Sequence, residues 1–254
     1  MDTISAKDEG EIFWVYLDRE KKKNAINTQM LRELLYQLDV IEQNEKVKVV
    51  VITGKGDVFC AGADINEFLN LNVLNAYEFS KLGKLVTERI EKSAKIYVAL
   101  INGHAFGGGL ELAMACDLRI SQLKSELGLP EIKLGIFPGF GGTQRLVKLV
   151  GKGRAFDIIL TGRRITGEEA RNIGLVNYVF GEEEFYDESL KLLKELAAKP
   201  IATLSLIKRV INDGSDLPLH YGLSVESLAW GMTFSRSDIN DGFEEFLKRK
   251  KYKY

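Results

Sequence analysis

The feature that most constrains this chain is an apolar run at residues 97–101 that ends in a glycine-rich turn and then becomes helical. Gly107, Gly108 and Gly109 have no Cβ to shield the backbone, so their N–H groups can approach a ligand closely. The free N–H groups at the start of the following helix point the same way. Glu111 places a carboxylate in the first helical turn. The stretch therefore predicts either an anion-stabilising site beside a titratable group or a structural turn closed by an exposed glutamate.

Composition limits the classes of protein to consider. The 254 residues, 45% of them apolar, are enough for one large domain or for a core domain with a smaller appendage. Lys and Arg number 35 against 36 Asp and Glu, a net charge of −1 that argues against generic nucleic-acid or anionic-membrane binding. Cys60 and Cys116 are far apart and predict neither a disulfide framework nor a zinc cluster, which fits a reducing cytoplasm. With no apolar leader and no apolar window of about 20 residues, we expect a soluble, unprocessed protein.

Periodicity predicts an α/β chain that becomes all-α. Short apolar runs predict strands at residues 11–17, 47–53, 97–101 and 118–120. Apolar residues at three- and four-residue steps predict a helix capped by Asn27 or Thr28 and further helices at about 75–92, 184–199, 203–212, 223–234 and 238–249. Thr166 and Glu169 have capping-box spacing. The pattern is helical from Gly151 onward, which indicates a helical appendage packed on the core or on another subunit.

Glycine-rich loops follow two of the buried strands, at residues 54–65 and 102–109. If these strands are neighbours, each loop can give one backbone N–H to a single oxygen and form an oxyanion hole. Glu131 lies just before a third glycine-rich run, at residues 138–142. Two carboxylates at one anion-stabilising site can take opposite proton-transfer roles if their environments separate their pKa values.

Other chemistries lack their motifs. No Gly-Lys-Ser/Thr follows the glycines, the G-x-G-x-x-G spacing is not formed at residues 103–109, and G-x-S-x-G is absent, which argues against a P-loop, a dinucleotide site and a serine hydrolase. His104 is close to the glycine turn, and we expect it to bond to backbone rather than to act in catalysis. His220 is isolated, and the scattered carboxylates do not form a metal-ligand cluster.

Several motifs in one order resemble a known family. They are Ala61-Gly62-Ala63-Asp64-Ile65, residues 102–113, Pro130-Glu131-Ile132-Lys133-Leu134-Gly135, residues 138–146 and Leu160-Thr161-Gly162. Together they resemble the enoyl-CoA hydratase (crotonase) family over nearly the whole chain. The resemblance implies a spiral of ββα units over residues 1–195 and a C-terminal helical region, residues 196–254, that assembles trimers, commonly paired into hexamers. It also implies an acyl-CoA thioester substrate, with coenzyme A as part of the substrate and no separate cofactor or metal.

The same resemblance implies roles for residues. The backbone N–H groups of Ala63 and Gly108 would bind the thioester oxygen, and Glu111 and Glu131 match the two catalytic glutamates. Our assignment is Glu111 for the water and Glu131 for the proton delivered to Cα, although which glutamate handles the water is left open because coupled carboxylates share their titration. The CoA-binding residues would be Lys23, Asn24, Ala25, Ala61, Gly62, Asp64, Ile65, Asn66, Phe246 and Arg249. A solvated basic end is the alternative for the C-terminal tail.

The implied activity is reversible hydration of a trans-2-enoyl-CoA to a 3-hydroxyacyl-CoA, by a cytoplasmic lyase of fatty acid metabolism. Phe137 and Phe140 indicate a short acyl pocket, suited to crotonyl-CoA or to dehydration of 3-hydroxypropionyl-CoA, while departures from the family at His104, Phe106 and Phe140 leave the shape of that pocket open. One alternative is an enoyl-CoA isomerase, which usually needs a single base. Another is a family member acting mainly as an RNA-binding or scaffold protein, which the near-neutral charge and the glutamate pair disfavour.

Overall fold

The computed structural model describes residues 1–69 and 71–235, together with residues 239, 243, 244, 247 and 248. The chain forms two compact units, Met1–Lys199 and Pro200–Tyr254. The boundary predicted from the sequence, between residues 195 and 196, falls in the last turn of a helix that ends at Ala197.

The first unit contains all the described strands and most of the described helices. Its strands are β1 (Ile4–Glu9), β2 (Ile12–Leu17), β3 (Val49–Gly54), β4 (Ile96–Ile101), β5 (Ala105–Phe106), β6 (Leu118–Gln122), β7 (Glu126–Gly128), β8 (Ile165–Thr166) and β9 (Tyr178–Phe180). Its α-helices are α1 (Thr28–Gln43), α2 (Val73–Lys92), α3 (Gly108–Ala115), α4 (Gly142–Val150), α5 (Lys152–Thr161), α6 (Gly167–Asn172) and α7 (Phe185–Ala197). Short 3-10 helices occur at Glu20–Lys22, Ile65–Glu67 and Pro130–Leu134.

The main sheet has six strands in the order β1-β2-β3-β4-β6-β9. β1 and β2 are antiparallel, and every other neighbouring pair is parallel. β3 and β4 are fully buried, as predicted from their continuous apolar runs, because alternate side chains enter two separate apolar clusters on the two faces. A second sheet, β5-β7-β8, is small.

Side-chain caps fix where the helices begin. The Asn27 side chain accepts the Met30 N–H at the start of α1, and Asn72 caps α2 in the same way. Helix α2 therefore begins at Val73, two residues before the predicted start at about Asn75. The Thr166 hydroxyl accepts the Glu169 N–H at 3.1 Å and begins α6, as its capping-box spacing predicts.

The prediction of a purely helical chain after Gly151 was wrong. β8 and β9 both follow this residue, and β9 extends the main sheet beside β6. These strands have two and three residues, too few to show an alternating pattern. β1, whose sequence is largely polar, was also not predicted, and it lies at the edge of the sheet.

The second unit contains α8 (Ile201–Gly214) and α9 (Leu219–Thr233), each preceded by a proline. They agree with the predicted helices at 203–212 and 223–234. Their backbones come close at two glycines, since a Cβ at Gly222 would lie 3.2 Å from the carbonyl oxygen of Gly214. Large apolar side chains on α9 are exposed, among them Leu219, Leu228 and Trp230. Most of the helix predicted at 238–249 lies outside the described residues.

Candidate active site

Asn102 joins the ends of β3 and β4, which are neighbours as the oxyanion hypothesis requires. Its side-chain oxygen accepts the Gly54 N–H and the Thr53 hydroxyl, both at 3.1 Å, and its amide donates to the carbonyl oxygens of Gly54 and Gly56. Asn102 is buried, so these bonds form in a low-dielectric environment where they are strong. The two glycine-rich loops therefore leave the sheet from one fixed point.

The first loop is bonded on both sides. Cys60 accepts the Phe106 N–H and donates to the His104 carbonyl, while Ile26 donates to Gly62 and accepts the Asp64 N–H. In a parallel bridge of this kind, Ile26 bonds to the residues before and after Ala63, so the Ala63 N–H faces away from Ile26. Gly62 has a φ of +104° that favours glycine, and a Cβ there would lie 3.8 Å from Gly107 Cα. The two loops thus lie side by side at Gly62 and Gly107.

The second loop begins α3 with three glycines. Gly107 has a φ of +51°. A Cβ at Gly109 would lie 2.5 Å from Cys60 Cβ, so only glycine lets α3 begin this close to the first loop. Gly108 is the first residue of α3 and its N–H has no intrahelical acceptor. Within the described part of the chain, the N–H groups of Gly108 and Ala63 have no hydrogen-bond partner.

Glu111 lies in the first turn of α3, as predicted, and is only 1% exposed. Its Oε1 accepts the N–H of Phe140 at 2.8 Å and the N–H of Gly142 at 2.6 Å. Burial raises the pKa of Glu111, and these two N–H groups and the positive charge of Arg145 only partly offset that effect. The expectation of an exposed glutamate closing a structural turn does not fit this buried carboxyl.

Glu131 lies in the 3-10 helix Pro130–Leu134, on the other side of the glycine turn. A Cβ at Gly107 would lie 3.1 Å from Glu131 Oε1. Burial raises the pKa of Glu131 to about 7, and the negative charge of Glu111 adds to the rise. Oε2 of Glu131 is buried without a hydrogen-bond partner among the described residues. The turn at residues 107–108 is therefore flanked by two carboxyls whose pKa values are both raised, chiefly by burial.

Residues 23–25 and 61–66 form a wall beside these groups. Lys23 and Asn24 both have left-handed backbones, and the Ala61 N–H donates to the Lys23 carbonyl at 3.0 Å. The Asn24 side chain is buried and donates to the carbonyl oxygens of Lys55 and Val58. Asn24 therefore holds the loop in shape, while Lys23 and Ala61 are exposed.

Asp64 faces protein groups, and its partner Arg19 was missed by the sequence analysis. Arg19 Nη2 donates to Asp64 Oδ2 at 2.9 Å, and the other oxygen accepts both N–H groups of Asn66. Burial alone would raise the pKa of Asp64, but the hydrogen bonds from Arg19 and Asn66 outweigh it and hold the pKa below its usual range. Arg19 Nη1 also donates to the Ala25 carbonyl. Ile65 and Asn66 are exposed beside this pair.

The remaining candidate residues are placed as follows. His104 Nδ1 accepts the Glu126 N–H at 3.0 Å, which confirms the expectation of a backbone-bonded histidine. Phe246 and Arg249 lie outside the described residues. The described part of the chain contains no group of three or more His, Cys, Asp and Glu side chains able to hold a metal ion. Among its helices, none combines the length and apolarity needed to cross a membrane.

Phe140 fills the space between α2 and the glycine turn. It is 4% exposed, its ring centroid is 5.4 Å from that of Phe79, and a Cβ at Gly83 would lie 2.2 Å from Phe140 Cδ1. A Cβ at Gly108 would lie 2.9 Å from the same ring. Phe137, by contrast, is 72% exposed.

Comparison with known proteins supports the fold and the family. The model of the family described as enoyl-CoA hydratase/isomerase matches residues 7–254. The short-chain-enoyl-CoA hydratase of Clostridium acetobutylicum is 38% identical over 252 residues, 99% of this chain and 97% of that protein. The crotonyl-CoA hydratase of Syntrophomonas wolfei is 39% identical over 251 residues, 98% of this chain and 96% of that protein.

Solved structures agree. An enoyl-CoA hydratase from Bacillus anthracis superimposes with a TM-score of 0.93 at 34% identity, over 97% of this chain and 96% of that chain. An enoyl-CoA hydratase from Geobacillus kaustophilus superimposes with a TM-score of 0.94 at 33% identity, over 98% of this chain and 95% of that chain. The predicted crotonase-type α/β fold is confirmed, and the chain belongs to the enoyl-CoA hydratase/isomerase family.

Proposed function

We propose that this protein is an enoyl-CoA hydratase, which adds water reversibly across the double bond of a trans-2-enoyl-CoA. The observation that carries the proposal is a pair of carboxyls on either side of a turn whose Gly108 N–H lacks a partner in the described structure. Glu111 is buried, and Glu131 is half-buried with its Oε2 buried. Relatives named as hydratases at 38% and 39% identity support the same class of reaction.

The backbone N–H groups of Ala63 and Gly108 form the oxyanion hole in this proposal. The thioester oxygen accepts both, and the bonds strengthen as negative charge develops on that oxygen in the enolate-like transition state. Each such donor contributes on the order of 10²–10³ in rate. Fixed backbone donors need no reorganisation during the reaction, which is why the bonded loops matter.

The two glutamates move the protons. Ionised Glu111 takes a proton from water as the water oxygen bonds to Cβ of the substrate, and protonated Glu131 gives its proton to Cα. The double bond is consumed, water is added, and the pair as a whole keeps one proton. Dehydration runs through the same groups in reverse. A pKa of about 7 suits Glu131 for this role, because the proton is held at neutral pH yet can be released.

The wall at residues 23–25 and 61–66 is our proposed CoA-binding surface. Exposed Lys23 supplies charge for phosphates, and exposed Ala61, Ile65 and Asn66 supply contacts. We assign Asp64 and Asn24 a supporting part, since their polar side-chain atoms bond to the protein. Contacts from Phe246 and Arg249 remain a prediction of the resemblance.

We infer a short acyl group from Phe140, whose ring occupies the space between α2 and Gly108. Crotonyl-CoA and 3-hydroxypropionyl-CoA are the substrates proposed for the two directions. The exposed apolar side chains of α9 support assembly into a trimer or hexamer. A cytoplasmic location in fatty acid metabolism completes the proposal.

The test uses the absorbance of the conjugated enoyl thioester. Glu111→Gln and Glu131→Gln should each abolish hydration of crotonyl-CoA while leaving binding of the CoA ester intact, and the exposed Glu168→Gln serves as control. Unchanged hydration in both variants would contradict the proposal. Conversion of a 3-enoyl-CoA without hydration would indicate an isomerase, and salt-dependent RNA binding that survives loss of both glutamates, without turnover, would indicate a binding protein.

A further inference from the structure

The orientation of Glu111 depends on the loop of residues 139–142. Oε1 of Glu111 accepts N–H groups from two peptides of this loop, those of Phe140 and Gly142. Any displacement of the loop therefore displaces the carboxylate. The groups that hold the loop on its opposite side therefore help to set the position of Glu111.

Three side chains from outside the loop donate to its carbonyl oxygens. The longest of these bonds, 3.4 Å, joins the Thr87 hydroxyl of α2 to the Phe140 carbonyl. Ser80 Oγ, on α2, donates to the Gly139 carbonyl at 2.7 Å. Arg145 Nη1, on α4, donates to the Phe140 carbonyl at 2.8 Å. The peptide between Gly139 and Phe140 thus accepts from Ser80 at one end and donates to Glu111 at the other.

Arg145 is itself fixed by Glu91 of α2. Its Nε lies 2.6 Å from one Glu91 oxygen and its Nη2 2.7 Å from the other, a two-pronged geometry that limits rotation of the guanidinium. The Arg145 side chain is only 14% exposed. Gly141 has a φ of +107°, and a Cβ there would lie 2.1 Å from Arg145 Nη1, so the guanidinium lies directly against the glycine.

We propose that Arg145, oriented by Glu91, is a positioning residue that sets the location of the Glu111 carboxylate. It does so through the Phe140 carbonyl, whose peptide lies between the two peptides that donate to Glu111. The inference rests on the proposed function, since it gives Arg145 a part only if Glu111 moves a proton. Small displacements of a catalytic group have large effects on rate, on the order of 10²-fold for about 1 Å.

Arg145 also acts through its charge. Arg145 is a charged group that acts on Glu111, and Glu131, across the glycine turn, is the carboxyl on which the charge of Glu111 acts in turn. The positive charge of Arg145 lowers the pKa of Glu111 against the effect of burial. Removing that charge raises the pKa of Glu111, and the acid side of the pH profile then moves to higher pH.

The experiment compares Arg145→Met, Arg145→Lys and Glu91→Gln by kcat, KM and pH profile with crotonyl-CoA. We expect Arg145→Met to lower kcat roughly 10- to 100-fold with KM unchanged, because Arg145 does not touch the CoA wall. Its acid limb should move to higher pH. Arg145→Lys should keep the acid limb in place but lose part of kcat, since lysine cannot bond in two prongs. Glu91→Gln should lower kcat less than Arg145→Met.

The control is Arg89→Met, which removes another arginine-carboxylate pair of α2, that of Arg89 with Asp39 at 2.8 Å, away from the loop. Rates are normalised to the folded fraction from thermal unfolding. Wild-type kcat and pH profile in folded Arg145→Met, while Glu111→Gln abolishes hydration, would overturn this inference alone. Normal hydration by Glu111→Gln would instead overturn the proposed function.

Discussion

Arg19 and Asp64 form an ion pair of 2.9 Å although 45 residues separate them. The pair connects the segment before α1 to the loop after β3, and Arg19 also donates to the Ala25 carbonyl. Asp64 directly follows Ala63, whose N–H we assign to the oxyanion hole. The same ion pair therefore supports the proposed CoA wall and the position of the oxyanion donor.

Breaking this pair should affect binding and rate together. We expect Asp64→Asn to raise KM for crotonyl-CoA and to lower kcat, with a loss of stability of roughly 2 kcal/mol, because a charged hydrogen bond of a buried group is removed. The measurement is steady-state kinetics with chemical unfolding, in a double-mutant cycle with Arg19→Met. Removal of the exposed Lys7 and Glu9 pair is the control. Additive effects of the two site substitutions would contradict the coupling.

The glutamate pair should give the same pH dependence in both directions. Hydration and dehydration each need one proton on the pair, on Glu131 for hydration and on Glu111 for dehydration. The ratio of kcat/KM in the two directions is fixed by the equilibrium constant of the reaction, which consumes no proton. Since the pKa of Glu131 is about 7, we expect kcat/KM to fall as the pH rises above about 7 and the pair loses its last proton. Profiles measured with crotonyl-CoA and with 3-hydroxybutyryl-CoA should superimpose, and a rise in either above neutral pH would contradict the mechanism.

Glu131 should also make stability depend on pH. Its pKa in the folded protein, about 7, lies above the usual value of 4.5, so the folded state binds more protons between these values and stability falls as the pH rises through this range. The loss is roughly 3 kcal/mol at most. Glu131→Gln should remove this part of the fall, which urea unfolding at several pH values can measure. An identical slope in wild type and variant would show that Glu131 is not the group responsible.

Gly107→Ala should impair catalysis beyond the cost of backbone strain. The new Cβ would lie 3.1 Å from Glu131 Oε1, in addition to the strain of a φ of +51°. We expect a lower kcat and a displaced alkaline limb. Gly10→Ala is a matched control, because Gly10 has a φ of +80° and a Cβ there would meet no atom within 4 Å in the described structure. Equal effects of the two substitutions on kcat would show that the contact between residue 107 and Glu131 does not affect catalysis.

Phe140→Ala should extend the range of acyl chains. Removing the ring opens the space beside Phe79 and Gly83, so kcat/KM for longer enoyl-CoA esters should rise relative to crotonyl-CoA. Stability should fall by about 3–5 kcal/mol, the usual cost of truncating a buried phenylalanine, and Phe140→Leu offers a milder variant. The control is Phe156→Ala on α5, which is exposed. An unchanged preference across acyl lengths in both variants at 140 would exclude this ring as the limit.

Contiguous features of the site were predictable, and features joined only by the fold were not. The glycine turn and Glu111 share one stretch of sequence, so their arrangement follows from the strand-to-helix pattern. Arg145 and Glu91 are 54 residues apart, and nothing in either neighbourhood indicates that they meet. β8 and β9 are too short for a period to appear and are defined by pairing with distant strands. The starts of α1 and α6 were predictable from their caps, Asn27 and Thr166, whereas the cap of α2, Asn72, was not recognised.

The close contact between Cys60 and Gly109, where a Cβ at residue 109 would lie 2.5 Å from Cys60 Cβ, shields the Cys60 thiol. Burial raises the pKa of its thiol to about 12, and the thiol donates to the Asn24 carbonyl at 3.1 Å, so almost no thiolate forms at neutral pH. Alkylating reagents and peroxide therefore reach this sulfur only when the first loop separates from α3. In a Cys116→Ser background, the rate of Cys60 labelling therefore measures how often the active site opens, and no new cysteine has to be introduced.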